Sequence, residues 1–161
     1  MRSAVMVIAV GVLLVEACGG GEDRASETSA ESQRVEIRTS VIGAATPGAE
    51  PIATGDVLEG STLGGSAFCT DGTVLDSHGS QNPEVPLIAR TITCPEGRVR
   101  MDITPDVSQG MSQDLTQTGS WTIVSGTGAF ERLRGSGKSK AVYGSSPETP
   151  VRETFTGTAT R

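Results

Sequence analysis

From Val35 onward the chain is written in period two. Val35-Glu36-Ile37-Arg38-Thr39-Ser40-Val41 and Val99-Arg100-Met101-Asp102-Ile103 alternate apolar with polar residues, and Trp121-Thr122-Ile123 repeats the pattern. Successive side chains of a strand point to opposite faces, so the alternation predicts strands with one buried and one wet face. Further strands are expected at Thr54 to Gly60, Ser66 to Cys69, Thr73 to Ser77, Leu87 to Cys94, Ser139 to Tyr143 and Arg152 to Thr160. Turn signals separate them: Thr46-Pro47-Gly48, Gly64-Gly65, Asp71-Gly72, Asn82-Pro83, Pro95-Glu96-Gly97 and Ser145-Ser146-Pro147. Asp71-Gly72 reads as the best hairpin turn, because glycine can take the positive φ of a primed turn. Nothing in the domain sustains a helical period; Ala129 to Leu133 has room for one turn. About eight short strands with turns between them predict an all-β fold, a small antiparallel up-and-down barrel.

The N-terminus is written differently. Arg2 precedes an apolar run from Ala4 to Val15, followed by Glu16-Ala17-Cys18. The run is too short for a permanent transmembrane helix and suits the apolar core of a secretory signal. With Val15 and Ala17 ahead of Cys18, it resembles the bacterial lipoprotein signal; Glu16 departs from that pattern. The resemblance implies a signal peptide over 1–17, acylation of the Cys18 thiol and anchoring on the outer face of the cytoplasmic membrane. A plain secretory signal or an uncleaved anchor are the alternatives. Residues 18–34, rich in Gly, Ser, Glu and Ala, have almost nothing to bury and read as a flexible tether. Residues 35–161 remain for one domain with a single core.

In an exported protein, Cys69 and Cys94 are expected to form a disulfide. The alternative, a metal site, lacks ligands, since His78 is the sole histidine. Net charge is −6 and no basic run occurs, so the footprint of a nucleic-acid binder is missing. Nothing polybasic adjoins the anchor, which argues against the folded domain binding anionic headgroups.

Gly119-Ser120-Trp121-Thr122-Ile123-Val124-Ser125-Gly126-Thr127-Gly128-Ala129-Phe130, followed by Leu133-Arg134-Gly135-Ser136-Gly137, resembles the G-x-W-x-I-x-x-G-T-G-x-F…G-x-G phrase of allene oxide cyclase-like and dirigent-like barrels. Phe68-Cys69-Thr70-Asp71-Gly72-Thr73 and Thr93-Cys94-Pro95-Glu96-Gly97 are similar to the paired-cysteine variety in exported bacterial relatives, and Thr154 to Thr158 to their closing strand. The resemblance implies an eight-stranded antiparallel barrel with a narrow interior. It carries no catalytic residue onto this chain, and fold alone does not fix function.

Motifs for chemistry are weak. Gly135-Ser136-Gly137-Lys138-Ser139 lacks the leading glycine of a phosphate loop, where Arg132 stands. Gly126-Thr127-Gly128 has Glu131 where a dinucleotide fingerprint needs its third glycine. Turn glycines of a barrel account for both. Asp76 and His78 share a strand face, an arrangement suited to a general base with Ser77, Ser80 or Thr73 near, but they read as a solvated strand end. Asp56, Glu59, Asp102 and Asp106 read as solvated faces. Phe68, Trp121, Phe130, Tyr143 and Phe155 are expected to fill the barrel or to line a pocket.

Together these observations predict a membrane-anchored envelope lipoprotein without a cofactor, its membrane partner reached through lipidated Cys18, its barrel non-catalytic and holding a small apolar or lipid-like ligand. Two alternatives stand beside it. One is a cyclase- or isomerase-like enzyme on an oxidised lipid; the other is a protein-interaction module with a filled core.

Overall fold

The computed structural model describes residues 31–44, 50–80, 86–109 and 115–161. The signal segment, Cys18, most of the tether and the turn signals at 46–48 and 82–83 lie outside the described residues. Among the described residues no helix is long and apolar enough to cross a membrane.

The fold is all-β. Among the described residues ten strands run β1 Gln33–Gly43, β2 Ala53–Val57, β3 Thr62–Leu63, β4 Ser66–Ala67, β5 Thr73–His78, β6 Ile88–Cys94, β7 Gly97–Pro105, β8 Thr116–Gly126, β9 Arg134–Val142 and β10 Val151–Thr160. Their order is β10-β9-β8-β7-β6-β5-β2-β1, and β10 pairs with β1 to close the ring. The result is an eight-stranded antiparallel barrel with the short β3–β4 hairpin laid against the start of β1. Closure removes the exposed edges that an open sheet of this composition would carry. β1 begins at Gln33, two residues before the boundary expected from the alternation.

Expected strands recur with shifted ends. Two strands start five residues earlier than expected, β8 at Thr116 rather than Trp121 and β9 at Arg134 rather than Ser139. The inward positions of β9 are Gly135, Gly137, Ser139 and Ala141, so it has no large apolar side chain facing in to announce a strand. These glycines are not turn residues. A Cβ on Gly137 would stand 2.0 Å from Thr156 O, and one on Gly157 would stand 2.9 Å from Trp121 Cζ2. Gly137 and Gly157, opposite each other in the ladder, thus let the backbones of β9 and β10 approach closely, and Gly157 also leaves room for the indole of Trp121. Gly126-Thr127-Gly128 does form a turn, leading into a single 3-10 turn at Gly128–Phe130.

Asp71-Gly72 is not a hairpin turn. It links β4 to β5, which pair with other strands, and positive φ falls on Cys69 (55°) and Asp71 (60°) rather than Gly72. Glycine is required at 72 for space, since a Cβ would meet Cys69 Sγ at 2.2 Å. Between β7 and β8 the register shifts at Arg100/Met101, which leaves Val124 as an extra residue on β8. Val124 and Ser125 are consequently both exposed, and the bulge adds local bend to the wall.

The barrel has two unlike ends. Towards the start of β1 and the end of β6 the interior is apolar: Val35, Ile92, Val99, Ile123, Leu133 and Ala159 are all nearly inaccessible. Phe68 and Phe130 meet edge to face there, 5.6 Å apart. The Cys69–Cys94 disulfide closes this end, with Cα atoms 5.0 Å apart. Closing a loop of this length contributes about 3 kcal/mol on the chain-entropy account. Towards the other end the interior turns polar.

Candidate functional site

Within the polar half, two cross-strand pairs face each other. Asp76 on β5 stands opposite Arg90 on β6, and Thr39 on β1 stands opposite Glu153 on β10. Arg90 is fully buried. Its guanidinium donates to both Asp76 oxygens, at 2.7 and 2.6 Å, in the bidentate geometry that suits a planar fork. It also pairs with Glu153 Oε2 at 2.5 Å and donates to Thr39 Oγ1 at 3.0 Å. The Thr39 hydroxyl in turn donates to Glu153 at 3.0 Å. The Phe155 ring lies under the guanidinium carbon, 5.1 Å from its centroid. Burial acts to lower the Arg90 pKa, but the Asp76 hydrogen bonds and the charges of Glu153 and Asp76 outweigh it and hold the cation more firmly.

Asp76 is therefore not at a solvated strand end. The same-face spacing of Asp76 and His78 is as expected, but both Asp76 oxygens accept from Arg90, while His78 is exposed. Among the described residues no carboxylate–imidazole pair forms. The sequence did hold a signal for this cluster. In Leu87 to Cys94, alternation puts Arg90 on the same face as Ile92 and Cys94, both of them buried. A charged residue in phase with core residues predicts a buried ion pair.

Four of the five aromatic residues expected as core or pocket lining are core. Trp121, Phe155, Phe68 and Phe130 are each at most 4% exposed. The Trp121 indole N–H donates to Lys138 O at 3.1 Å and Thr156 O at 3.2 Å, so the ring also ties β9 to β10. Tyr143 differs: it follows β9, is half-buried, and its hydroxyl donates to Gln117 Oε1 at 2.9 Å. Burial, and then the charge of Glu153, push its pKa up. Asp102 departs from a solvated face as well. Its Oδ1 is buried and has no hydrogen-bond partner among the described residues. Among the described residues no group of three or more His, Cys, Asp or Glu is placed to hold a metal.

A groove of about 870 Å³ lies on the outer wall, not in the interior. Its floor is the outward face of β8, β9 and β10, and residues 105–108 between β7 and β8 form one side. The ladder sets the floor in two rows, Ser120–Lys138–Thr156 and Thr118–Lys140–Thr154. Asp106 Oδ1 accepts from both the N–H (3.1 Å) and the hydroxyl (2.6 Å) of Ser108, which shapes the side wall. The outward positions of β8 to β10 hold Arg134, Lys138, Lys140 and Arg152 and no carboxylate. Sequence reasoning missed this basic face because the cations are dispersed over two strands.

Comparison of the chain with protein-family models, with curated proteins and with solved structures returned no match.

Proposed function

We propose that this chain is a lipid-anchored protein of the cell envelope whose barrel is a non-catalytic binding module with a filled core, meeting its partner through the outer wall. The supporting observation is the interior itself. Trp121 and Phe155 are 1% and 0% exposed, and the polar half is spanned by an Arg90 fork already committed to Asp76, Glu153 and Thr39. A lumen ligand would have to displace close-packed rings or break a buried ion cluster, and either is costly. That favours the filled module over an apolar ligand inside the barrel and over cyclase-like chemistry in the lumen. The anchor rests on Cys18 and the signal pattern before it.

Native mass spectrometry of the full chain, extracted from membranes of an exporting host, tests the core. The expected mass is that of the mature polypeptide plus its acyl chains. A further stoichiometric apolar compound, released by organic solvent, would overturn the filled-core reading. Labelled palmitate should enter the protein and be lost in Cys18→Ala; unchanged incorporation would overturn the anchor.

A further inference from the structure

We propose that the outer-wall groove over β8, β9 and β10 binds a compact ligand carrying at least two phosphoryl groups, held by Lys138 and Lys140. The inference rests on the surface-binding reading above and names the chemistry of what is bound.

The spacing of the two lysines follows from the strand. Lys138 and Lys140 are two residues apart on β9, and a rise of about 3.4 Å per residue puts their Cα atoms about 7 Å apart on one face. Both are exposed, and neither pairs with a carboxylate among the described residues. Each ammonium stands in a row between two hydroxyl residues, Ser120 and Thr156 in one, Thr118 and Thr154 in the other. Neighbouring strands are about 4.8 Å apart, so each row spreads three donor side chains over about 10 Å. A lysine is a compact charge suited to phosphate, and flanking hydroxyls can satisfy the remaining oxygens of a tetrahedral oxyanion. Asp106 is the one carboxylate among the described residues of the groove lining. Its Oδ1 is occupied by Ser108, and the two lysines outnumber it.

Other anions fit less well. Single-stranded nucleic acid is bound with aromatic platforms, and the outward positions of β8 to β10 hold no ring. The groove volume of about 870 Å³ suits a compact ligand; small-molecule sites run to roughly 300–1,000 Å³. Trp121 supplies a built-in reporter. It is the sole tryptophan, and its indole N–H is hydrogen-bonded to the carbonyls of Lys138 and Thr156, both in the groove lining.

The test titrates the full chain in neutral detergent micelles with sodium tripolyphosphate, read by Trp121 fluorescence and calorimetry. Saturable binding is expected, falling steeply with added salt and at least tenfold weaker in Lys138→Ala/Lys140→Ala. Arg98→Ala/Arg100→Ala, which removes two exposed cations of β7 outside the groove, should stay within twofold of wild type. A second arm replaces tripolyphosphate with phosphatidylglycerol doped into the micelles, which separates a lipid headgroup from a soluble phosphate. No tripolyphosphate binding, equal binding by the lysine variant, equal loss in the arginine variant, or a response to the lipid alone would each overturn the groove. Near-UV circular dichroism confirms that the variants remain folded. An apolar mass on the extracted protein would sink the filled core without touching the groove, so the two failures are distinguishable.

Discussion

Arg90 is the residue whose removal tests the barrel's interior most sharply. It sits at 0% exposure among Asp76, Glu153, Thr39 and Phe155. The cluster holds one cation and two carboxylates, so Arg90→Met leaves two negative charges facing each other with no counter-charge. Breaking a buried pair by deleting one partner costs about 3–5 kcal/mol, because the remaining charge is uncompensated. A domain of this size has about 5–15 kcal/mol to lose. The melting temperature should fall by about 10–25 °C, taking roughly 3–5 °C per kcal/mol for a domain of this size.

A decisive companion is Arg90→Met/Asp76→Leu/Glu153→Met. Replacing a whole buried ionic group with apolar residues of similar volume is often neutral or stabilising. The triple variant should therefore melt close to wild type although it carries two more core substitutions. Urea unfolding followed by Trp121 fluorescence gives both free energies on one scale. An Arg90→Met loss under about 1 kcal/mol would mean the cluster is effectively hydrated and refute the argument. A triple variant as unstable as the single one would show that shape, not uncompensated charge, sets the cost.

The remaining predictions concern the walls and the mouth. Cys69→Ser/Cys94→Ser should lose about 3 kcal/mol through the freed loop, and reductant should lower the wild-type melt to a similar level. Gly137→Ala should cost at least about 2 kcal/mol, since its Cβ would meet Thr156 O at 2.0 Å and neither backbone can yield cheaply; an unchanged melting curve would contradict the close approach of β9 and β10. Tyr143 is the sole tyrosine, so absorbance near 295 nm follows it alone. Its ionisation should lie above the ordinary phenol value of about 10. With the folded value raised, the native state holds its proton where the unfolded chain has lost it. That contribution to stability is complete below about pH 10 and is lost as pH rises through the folded value. An ordinary midpoint would refute the burial and the influence of Glu153.

Much of the fold was legible because alternation is a direct imprint of a two-faced wall. Val35 to Val41 and Val99 to Ile103 read correctly since their inward residues are large and apolar, and Cys69 and Cys94 do bridge. The first half of β9 was not legible, because its inward positions are Gly135 and Gly137, where a Cβ would run into β10. Trp121 announces itself, but the space it needs is written far along the chain, at Gly157, as an absence. The Asp71-Gly72 turn misled for a related reason. Local chemistry named a turn, while the ladder partners of β4 and β5, which are long-range facts, decided that it joins strands that do not pair.

The candidate sites show the same division between local and long-range information. Arg90 was readable from its phase in β6, but Glu153 as its partner was not, since the two meet only across the closed barrel. Charge behaves likewise. A net charge of −6 describes the whole chain, yet a closed wall sorts residues by parity and by strand neighbour. Lys138 and Lys140 are separated by Ser139, which points inward, so the linear sequence shows no basic run where the outer wall has a basic stripe. Glu153 stands between Arg152 and Thr154 in the chain, but strand parity puts it on the inward face with Phe155, where it pairs with Arg90, and the outward face of β10 carries no negative charge. That placement thus does two things at once. It completes the ion cluster that fills the polar half of the barrel, and it keeps off the outer wall an anion that would otherwise oppose the lysines. Reversing the phase of β10 by one residue would undo both, so the interior cluster and the basic face are two consequences of one strand register.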